Sequence, residues 1–184
     1  MPSLDLLQTL GEQLRTALDG LGAHLVEELQ KELIQQGHKL TGKLVNSIEH
    51  AVTNFRRQLS LEISYLRYGA IVNDGVRASR VPFGGKGTGA KTSKYIQALI
   101  RWVELRNIAQ GIKAQGVAFA IARKHKKEGI PTVGSRAFSR NGRRVGFQNI
   151  VLADNLDRIE DTVSNAGDVA VNAALDVIVG RITI

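Results

Sequence analysis

The stretch Leu59–Thr92, LSLEISYLRYGAIVNDGVRASRVPFGGKGTGAKT, decides how the chain is read. Leu59, Leu61, Ile63 and Tyr65 alternate with Ser60, Glu62 and Ser64. Successive strand side chains point to opposite faces, so residues 58–65 are predicted to form a strand with one apolar face. Tyr68–Asn73 reads as either a second strand or a short helix, and Asp74-Gly75 as a turn. Residues 76–92 combine glycine with positive charge, lack periodicity and read as a loop.

On the N-terminal side, residues 3–36 carry Leu4, Leu7, Leu10, Leu14, Leu18, Leu21, Leu25, Leu29 and Leu33 at steps of three and four. That spacing predicts one long amphipathic helix. Ser3 is expected to cap it, Gly37 to stop it, and Gly20 and Gly22 to be its weak point. Thr41 is read as the cap of a second, short helix with Leu44, Ile48 and Val52 on its apolar side, and Val52–Phe55 as the place where the chain passes into a first strand.

Beyond the loop, residues 93–106 are predicted helical, with Tyr95, Leu99, Trp102, Val103 and Arg106 on one side. A helix over 113–128 follows, ending in Lys124, Lys126 and Lys127, which suit its negative pole. Gly129, Ile130 and Pro131 supply a left-handed stop, a hydrophobic contact and a barrier to continuation. In residues 131–148, Asn141-Gly142 predicts a type I′ hairpin between Phe138 and Val145. Residues 150–178 read as a last helix, with Leu152, Leu156, Ile159, Val163, Ala166, Ala170, Ala173 and Val177 in a heptad-like seam. The small Ala166, Ala170 and Ala173 would admit another element, and Val177–Ile184 has an alternative reading as a strand.

These elements predict an α+β fold: a small, mainly antiparallel sheet packed with long N- and C-terminal helices, with extended basic loops at 76–92 and 131–148. The chain of 184 residues, 43% hydrophobic, suffices for one domain with a real core. It divides into a helix over 1–36, a basic body over 37–148 and a helix over 149–184. Cysteine is absent, which excludes disulfides and thiolate metal sites and fits a reducing compartment. Neither a signal peptide nor a membrane span is expected, since Asp5 and Glu12 interrupt the N-terminus and no run of about 18 apolar residues occurs.

Net charge is +8, unevenly spread. Residues 1–36 and 149–184 each hold two basic and six acidic side chains, leaving 21 basic and five acidic ones in 37–148. Such segregation speaks to partners, either nucleic acid or an acidic protein surface.

Catalytic chemistry finds little support. Gly84–Thr92, GGKGTGAKT, resembles a P-loop, but from Gly84 the second glycine falls at Gly89 and Ala90 takes the lysine position. Lys91-Thr92 comes one residue late, and Arg80-Val81-Pro82-Phe83 is not the apolar strand that should lead in. His24, His38, His50 and His125 lack metal-ligand spacing. His24 and Glu28, one turn apart, read as a surface pair, and Asp154, Asp157 and Asp161 as a solvated acidic stripe. No enzyme activity, cofactor or metal is expected.

The positive signal is basic. Arg77, Arg80, Lys86, Lys91 and Lys94 occur with no acid between them, as do Arg136, Arg140, Arg143 and Arg144. On loops, both sets would reach phosphates by charge alone. Aromatic residues are 5% of the chain, too few for base-stacking platforms, so any DNA contact would be sequence-independent. A non-specific DNA-binding protein is therefore one reading; loops docking on acidic protein surfaces are the other.

Several segments resemble a known family. Thr41-Gly42, Leu44 and Ser47-Ile48 are similar to its TG-x-L-x-x-SI segment. Tyr65, Tyr68, Val72, Gly75, Pro82 and Phe83 resemble its aromatic strand, glycine turn and Pro-Phe segment, and Arg123–Pro131, RKHKKEGIP, the helix end of many members. Asp74-Gly75-Val76 departs from the usual Gly-Thr after the strand. The family is the tail-completion, or head–tail joining, proteins of long-tailed bacteriophages, and the resemblance spans about residues 1–150. It implies a non-enzymatic α+β subunit that joins copies of itself in a ring, commonly sixfold, at the head–tail junction of the virion. Its implied neighbours are a neck or connector protein on one side and the tail tube or its terminator on the other. The channel they surround passes DNA, and assembly takes place in the host cytoplasm. In such a ring the loop 84–92 would become ordered.

Overall fold

The structure, a computed structural model, describes residues 2–55, 58–83 and 93–182. Among them the fold is α+β, mostly helical with one two-stranded antiparallel sheet. The chain forms two compact units, residues 1–32, 46–66 and 148–184 in the first, and 33–45 and 67–147 in the second.

The first unit is built on α1 (Pro2–Gln35), the hairpin of β1 (Glu49–Phe55) and β2 (Gln58–Ser64), α5 (Phe147–Asp154) and α6 (Leu156–Ile182). The last residues of α1 and the first of α5 belong to the second unit. At 1.5 Å per residue α1 runs to about 50 Å. Ser3 lies inside its first turn rather than capping it. The leucine periodicity does what its spacing predicts where the helix is covered: Leu21, Leu25 and Leu29 are buried, with Ile48 and Val151.

β1 pairs with β2 in a register that sets Val52 opposite Leu61 and His50 opposite Ile63. The predicted short helix after Thr41 is replaced by a single 3-10 turn, Val45–Ser47, and β1 starts at Glu49, so Val52 is a strand residue. Pairing with β2 satisfies the β1 backbone and competes successfully with a weak local helical pattern rich in β-branched residues.

Gly22, read from sequence as a weak point, has a packing role. A Cβ there would lie 2.5 Å from the His50 ring and 2.7 Å from Leu61, so its absence lets α1 close on the hairpin. Gly20 meets nothing within 4 Å, and α1 continues through both positions. The predicted last helix is two helices that meet at Asn155. The backbone ladder still crosses that residue, with Asn155 N–H bonded to Val151 at 3.1 Å and Ile159 N–H to Asn155 at 3.0 Å. α6 is helical to Ile182, which removes the alternative of a strand from Val177. Ala166 is half-buried, and the side chains of Ala170 and Ala173 lie outside the described residues.

The second unit holds α2 (Tyr68–Asp74), α3 (Lys94–Leu105) and α4 (Gly111–Glu128), with 3-10 turns at Ala78–Arg80 and Val133–Phe138. α2 resolves the strand-or-helix ambiguity over 68–73 in favour of helix. Ser93 caps α3, its hydroxyl accepting from Ile96 N–H at 3.2 Å. α3 packs on α4. Ile96 and Val103 are buried against a stripe of Ala114, Ala118 and Ala122, each fully buried at four-residue steps. Small side chains at that spacing let two helix backbones approach closely. Leu33, Leu44, Val45, Val81 and Phe147 complete the core of this unit.

Both α2 and α4 end on a glycine in a conformation essentially reserved for glycine: Gly75 at φ 72, ψ −172 and Gly129 at φ 89, ψ −172. Gly129 is thus a stop of the mirror-extended kind, not the left-handed kind the sequence suggested. Each glycine N–H closes its own helix, on Ile71 at 2.9 Å and on His125 at 2.8 Å. The residues that follow then pair with each other: Val76 N–H donates to Ile130 at 2.7 Å, and Ile130 N–H to Val76 at 2.8 Å. Two helix ends 54 residues apart are joined there. The predicted hairpin over 131–148 is absent. Gly142 has φ 70, but Asn141 does not enter the positive-φ region, so a type I′ turn is excluded. Asn141 instead accepts Arg143 N–H through its side chain at 3.1 Å, a local turn that draws no partner strand.

Candidate interaction surfaces

The described basic residues among those singled out in the sequence fall into distinct settings, all in the second unit. Arg77 and Arg80 flank one 3-10 turn, Arg77 as its cap and Arg80 as its last residue. Both are exposed and line a cleft of about 530 Å³ with Ala70, Ile71, Asp74, Gly75 and Val76. Lys94 opens α3, whose first turn contains no acid. A cation at a helix N-terminus opposes the helix dipole, so helix stability does not explain it. Lys86 and Lys91, with the rest of Gly84–Thr92, lie outside the described residues.

The second cluster divides. Arg136, Arg140 and Arg143 are exposed. Among the described residues none of them, nor Arg77, Arg80 or Lys94, has a carboxylate within ion-pair distance; the pairs formed are Lys31 with Glu27 and Glu28, His50 with Asp19, and Lys124 with Glu128. Phe138, between Arg136 and Arg140, is 81% exposed and Val133 72%. Arg-flanked apolar side chains at the surface suit an interface more than bulk solvent.

Arg144 behaves differently from its neighbours. It is half-buried and turned onto the end of α1, where its Nη1 donates to the Gln36 carbonyl at 2.9 Å. Burial, reinforced by the charge of Arg106, lowers its pKa. This arginine belongs to a capping node that sequence reading missed. Gly37 (φ 75) ends α1 with paired bonds, its N–H to Ile34 at 3.0 Å and His38 N–H to Leu33 at 2.9 Å. That is a Schellman arrangement, as the glycine predicted. The remaining carbonyls are met from far along the chain. Arg140 N–H donates to Gln35 at 2.8 Å, and Arg106 Nη2 to Gly37 at 3.3 Å, its guanidinium 5.7 Å from the Trp102 ring centroid.

The node is reciprocal. The fully buried Gln36 donates to the Val145 carbonyl at 3.2 Å, and His38 Nε2 to the Arg144 carbonyl at 3.1 Å. That bond needs one N–H only, and burial, aided by the Arg144 charge, holds the His38 pKa below its usual value. Gly37 marks the node in the sequence; its partners, more than 65 positions away, leave no local mark.

The other histidines are structural as well. Tyr95 O–H donates to His125 Nδ1 at 2.6 Å. Burial pushes the phenol up to about 12 and the imidazole down, which keeps the ring neutral and its Nδ1 free to accept. In the first unit His24 bonds Asn155 Oδ1 at 2.8 Å rather than Glu28, which pairs with Lys31. No three His, Asp or Glu side chains among the described residues could hold a metal ion. No helix among them is long and apolar enough to cross a membrane.

The first unit contributes an apolar groove of about 560 Å³. One wall is the leucine stripe of α1 (Leu18 to Leu29), the floor is Leu59, Leu61 and Ile63 of β2, and the far wall is Val151, Leu152, Ile159 and Val163. Gln148 donates to the Tyr65 hydroxyl at one end. Leu152 and Val163 remain 47% and 56% exposed, so the described residues leave this part of the groove uncovered.

The two units differ in sign. Counted over its residues, the first holds six basic and 14 acidic side chains, net −8. The second holds 19 basic and three acidic, net +16. The fold thus gathers two acidic sequence ends and the hairpin into one body. Comparison with protein-family models, curated proteins and solved structures finds no match to this chain.

Proposed function

We propose that this chain is a non-enzymatic structural subunit of a phage head–tail junction. It assembles with copies of itself into a ring, sixfold by resemblance, between a neck or connector protein and the tail tube or its terminator. The order of the sequence motifs motivates the reading. The observation that carries it in the structure is the opposite charge of the two units, with exposed Arg77, Arg80, Arg136, Arg140 and Arg143 lacking carboxylate partners among the described residues. A subunit that meets acidic surfaces, or the DNA in a channel, needs cations not already neutralised within its own fold. On this reading the protein resides in the virion and is assembled in the host cytoplasm.

The test is location. Labelled protein is expected at the neck of purified particles, encoded beside portal, capsid and tail-tube genes; a gene neighbourhood without them sinks the reading. The same exposed arginines favour a second reading, a sequence-independent DNA-binding protein. It requires salt-sensitive binding to duplex DNA, and no binding at low salt eliminates it.

A further inference from the structure

We infer that the groove of the first unit receives the Val133–Val145 segment of a neighbouring copy, with Phe138 as the inserted side chain. The inference rests on the self-association in the reading above and specifies its contact.

Three observations lead to it. The groove is apolar, about 560 Å³, and half-covered by its own chain. With a water's share of liquid near 30 Å³, that is room for an aromatic ring and neighbouring side chains. On the second unit, Phe138 and Val133 are 81% and 72% exposed on a turn that also presents Arg136, Arg140 and Arg143. The exposed Glu160 follows the groove residue Ile159 and stands one turn before the groove residue Val163 on α6.

Charge then selects the mode of pairing. Two copies meeting by the same face would set −8 against −8, or +16 against +16. Only the crossed arrangement, the first unit of one copy against the second unit of the next, is attractive. Made once per pair, a crossed contact is heterologous: one copy keeps its groove free and the other its Phe138 turn, so the chain of contacts closes as a ring or continues. Arg144, held on α1, contributes the rigid base of the turn rather than the contact.

Because the chain has no cysteine, single-cysteine variants report the contact directly. Ala137→Cys, which keeps Phe138 in place, and Val163→Cys, both at exposed positions, are mixed at millimolar protein under mild oxidation, one of them mass-tagged. A mixed disulfide dimer is expected in at least several-fold excess over either homodimer. Glu160→Lys in the Val163→Cys chain should reduce it, as should 0.5 M salt. Three results overturn the inference: no excess of mixed dimer, a dominant Ala137→Cys homodimer, or crosslinking indifferent to both salt and Glu160→Lys. Any of these leaves the neck location standing if labelled protein is found there, whereas crosslinking without neck location removes the functional reading and keeps the contact.

Discussion

The two units hold themselves together by different means. The first stacks long amphipathic helices on a hairpin and leaves one side of its apolar core open. The second uses shorter helices, a fully buried alanine stripe, and hydrogen bonds that join distant helix ends, Val76 to Ile130 and the α1 terminus to Arg106, Arg140 and Arg144. An open apolar face tolerates change until a partner covers it. A closed hydrogen-bonded node is sensitive at once, because a buried donor or acceptor that loses its partner is not rescued by water. Interaction capacity in the first unit is thus apolar and acidic, and in the second cationic and peripheral to a rigid centre.

The largest effect should come from the closed core. Phe147→Ala, fully buried in the second unit, is expected to cost about 3–5 kcal/mol. The sole tryptophan, Trp102, lies in the same unit and reports it by fluorescence in a denaturant titration. Leu25→Ala in the first unit should shift the Trp102 transition less. Equal shifts would show that the two units unfold as one and erase the distinction.

Next come the glycines. Gly129→Ala places a Cβ 2.6 Å from the Val76 carbonyl oxygen at φ 89 and should cost about 1–3 kcal/mol, as should Gly75→Ala against the Ile130 carbonyl at 2.5 Å. In α1 the two neighbours should part: Gly20→Ala gains about 0.5–1 kcal/mol of helix propensity in open space, while Gly22→Ala loses stability against His50 and Leu61. Thermal melts of the four variants test the pattern, and a stabilised Gly22→Ala would contradict the close approach of α1 to the hairpin.

Adjacent arginines sharpen the contrast within the second unit. Arg144→Ala should cost about 1–2 kcal/mol, low in the range for a charged donor because the group is half-exposed. Arg143→Ala should change stability by less than about 0.5 kcal/mol. If DNA is bound, the effects on binding reverse: each exposed arginine removed should lower the salt slope by about one, with Arg144→Ala altering it least.

The smallest effect is on pH dependence. His38 and His125 both have folded pKa values below their usual one, chiefly through burial, and both belong to the second unit. Each binds fewer protons folded than unfolded. Their contribution to stability is therefore complete above about pH 6.5 and is lost as pH falls below it. The Trp102 transition should weaken over that interval, and His38→Gln with His125→Gln should flatten the dependence. An unchanged slope would assign the acid sensitivity to other groups.

Local features were legible in the chain because the interactions that make them are local. Leucines three and four apart specify the covered stripe of α1, alternation specifies β2, and Gly37 and Gly129 stop their helices through contacts within six residues. The loss of the Thr41 helix and of the 131–148 hairpin has one cause. Residues 49–55 had a strand to pair with, and Asn141-Gly142 had none. Charge segregation was visible too, but its division into bodies of −8 and +16 was not, since the first unit gathers three separate stretches. Arg143 and Arg144 are identical in type and adjacent, yet one faces water and the other caps α1. By itself the sequence determined the type of the strongly periodic elements, the helix stops and the sign of each segment, all set by short-range sterics and composition. The tertiary structure alone decided which arginines are spent inside the fold and which stay available, because that depends on carbonyls 69 and 108 residues away.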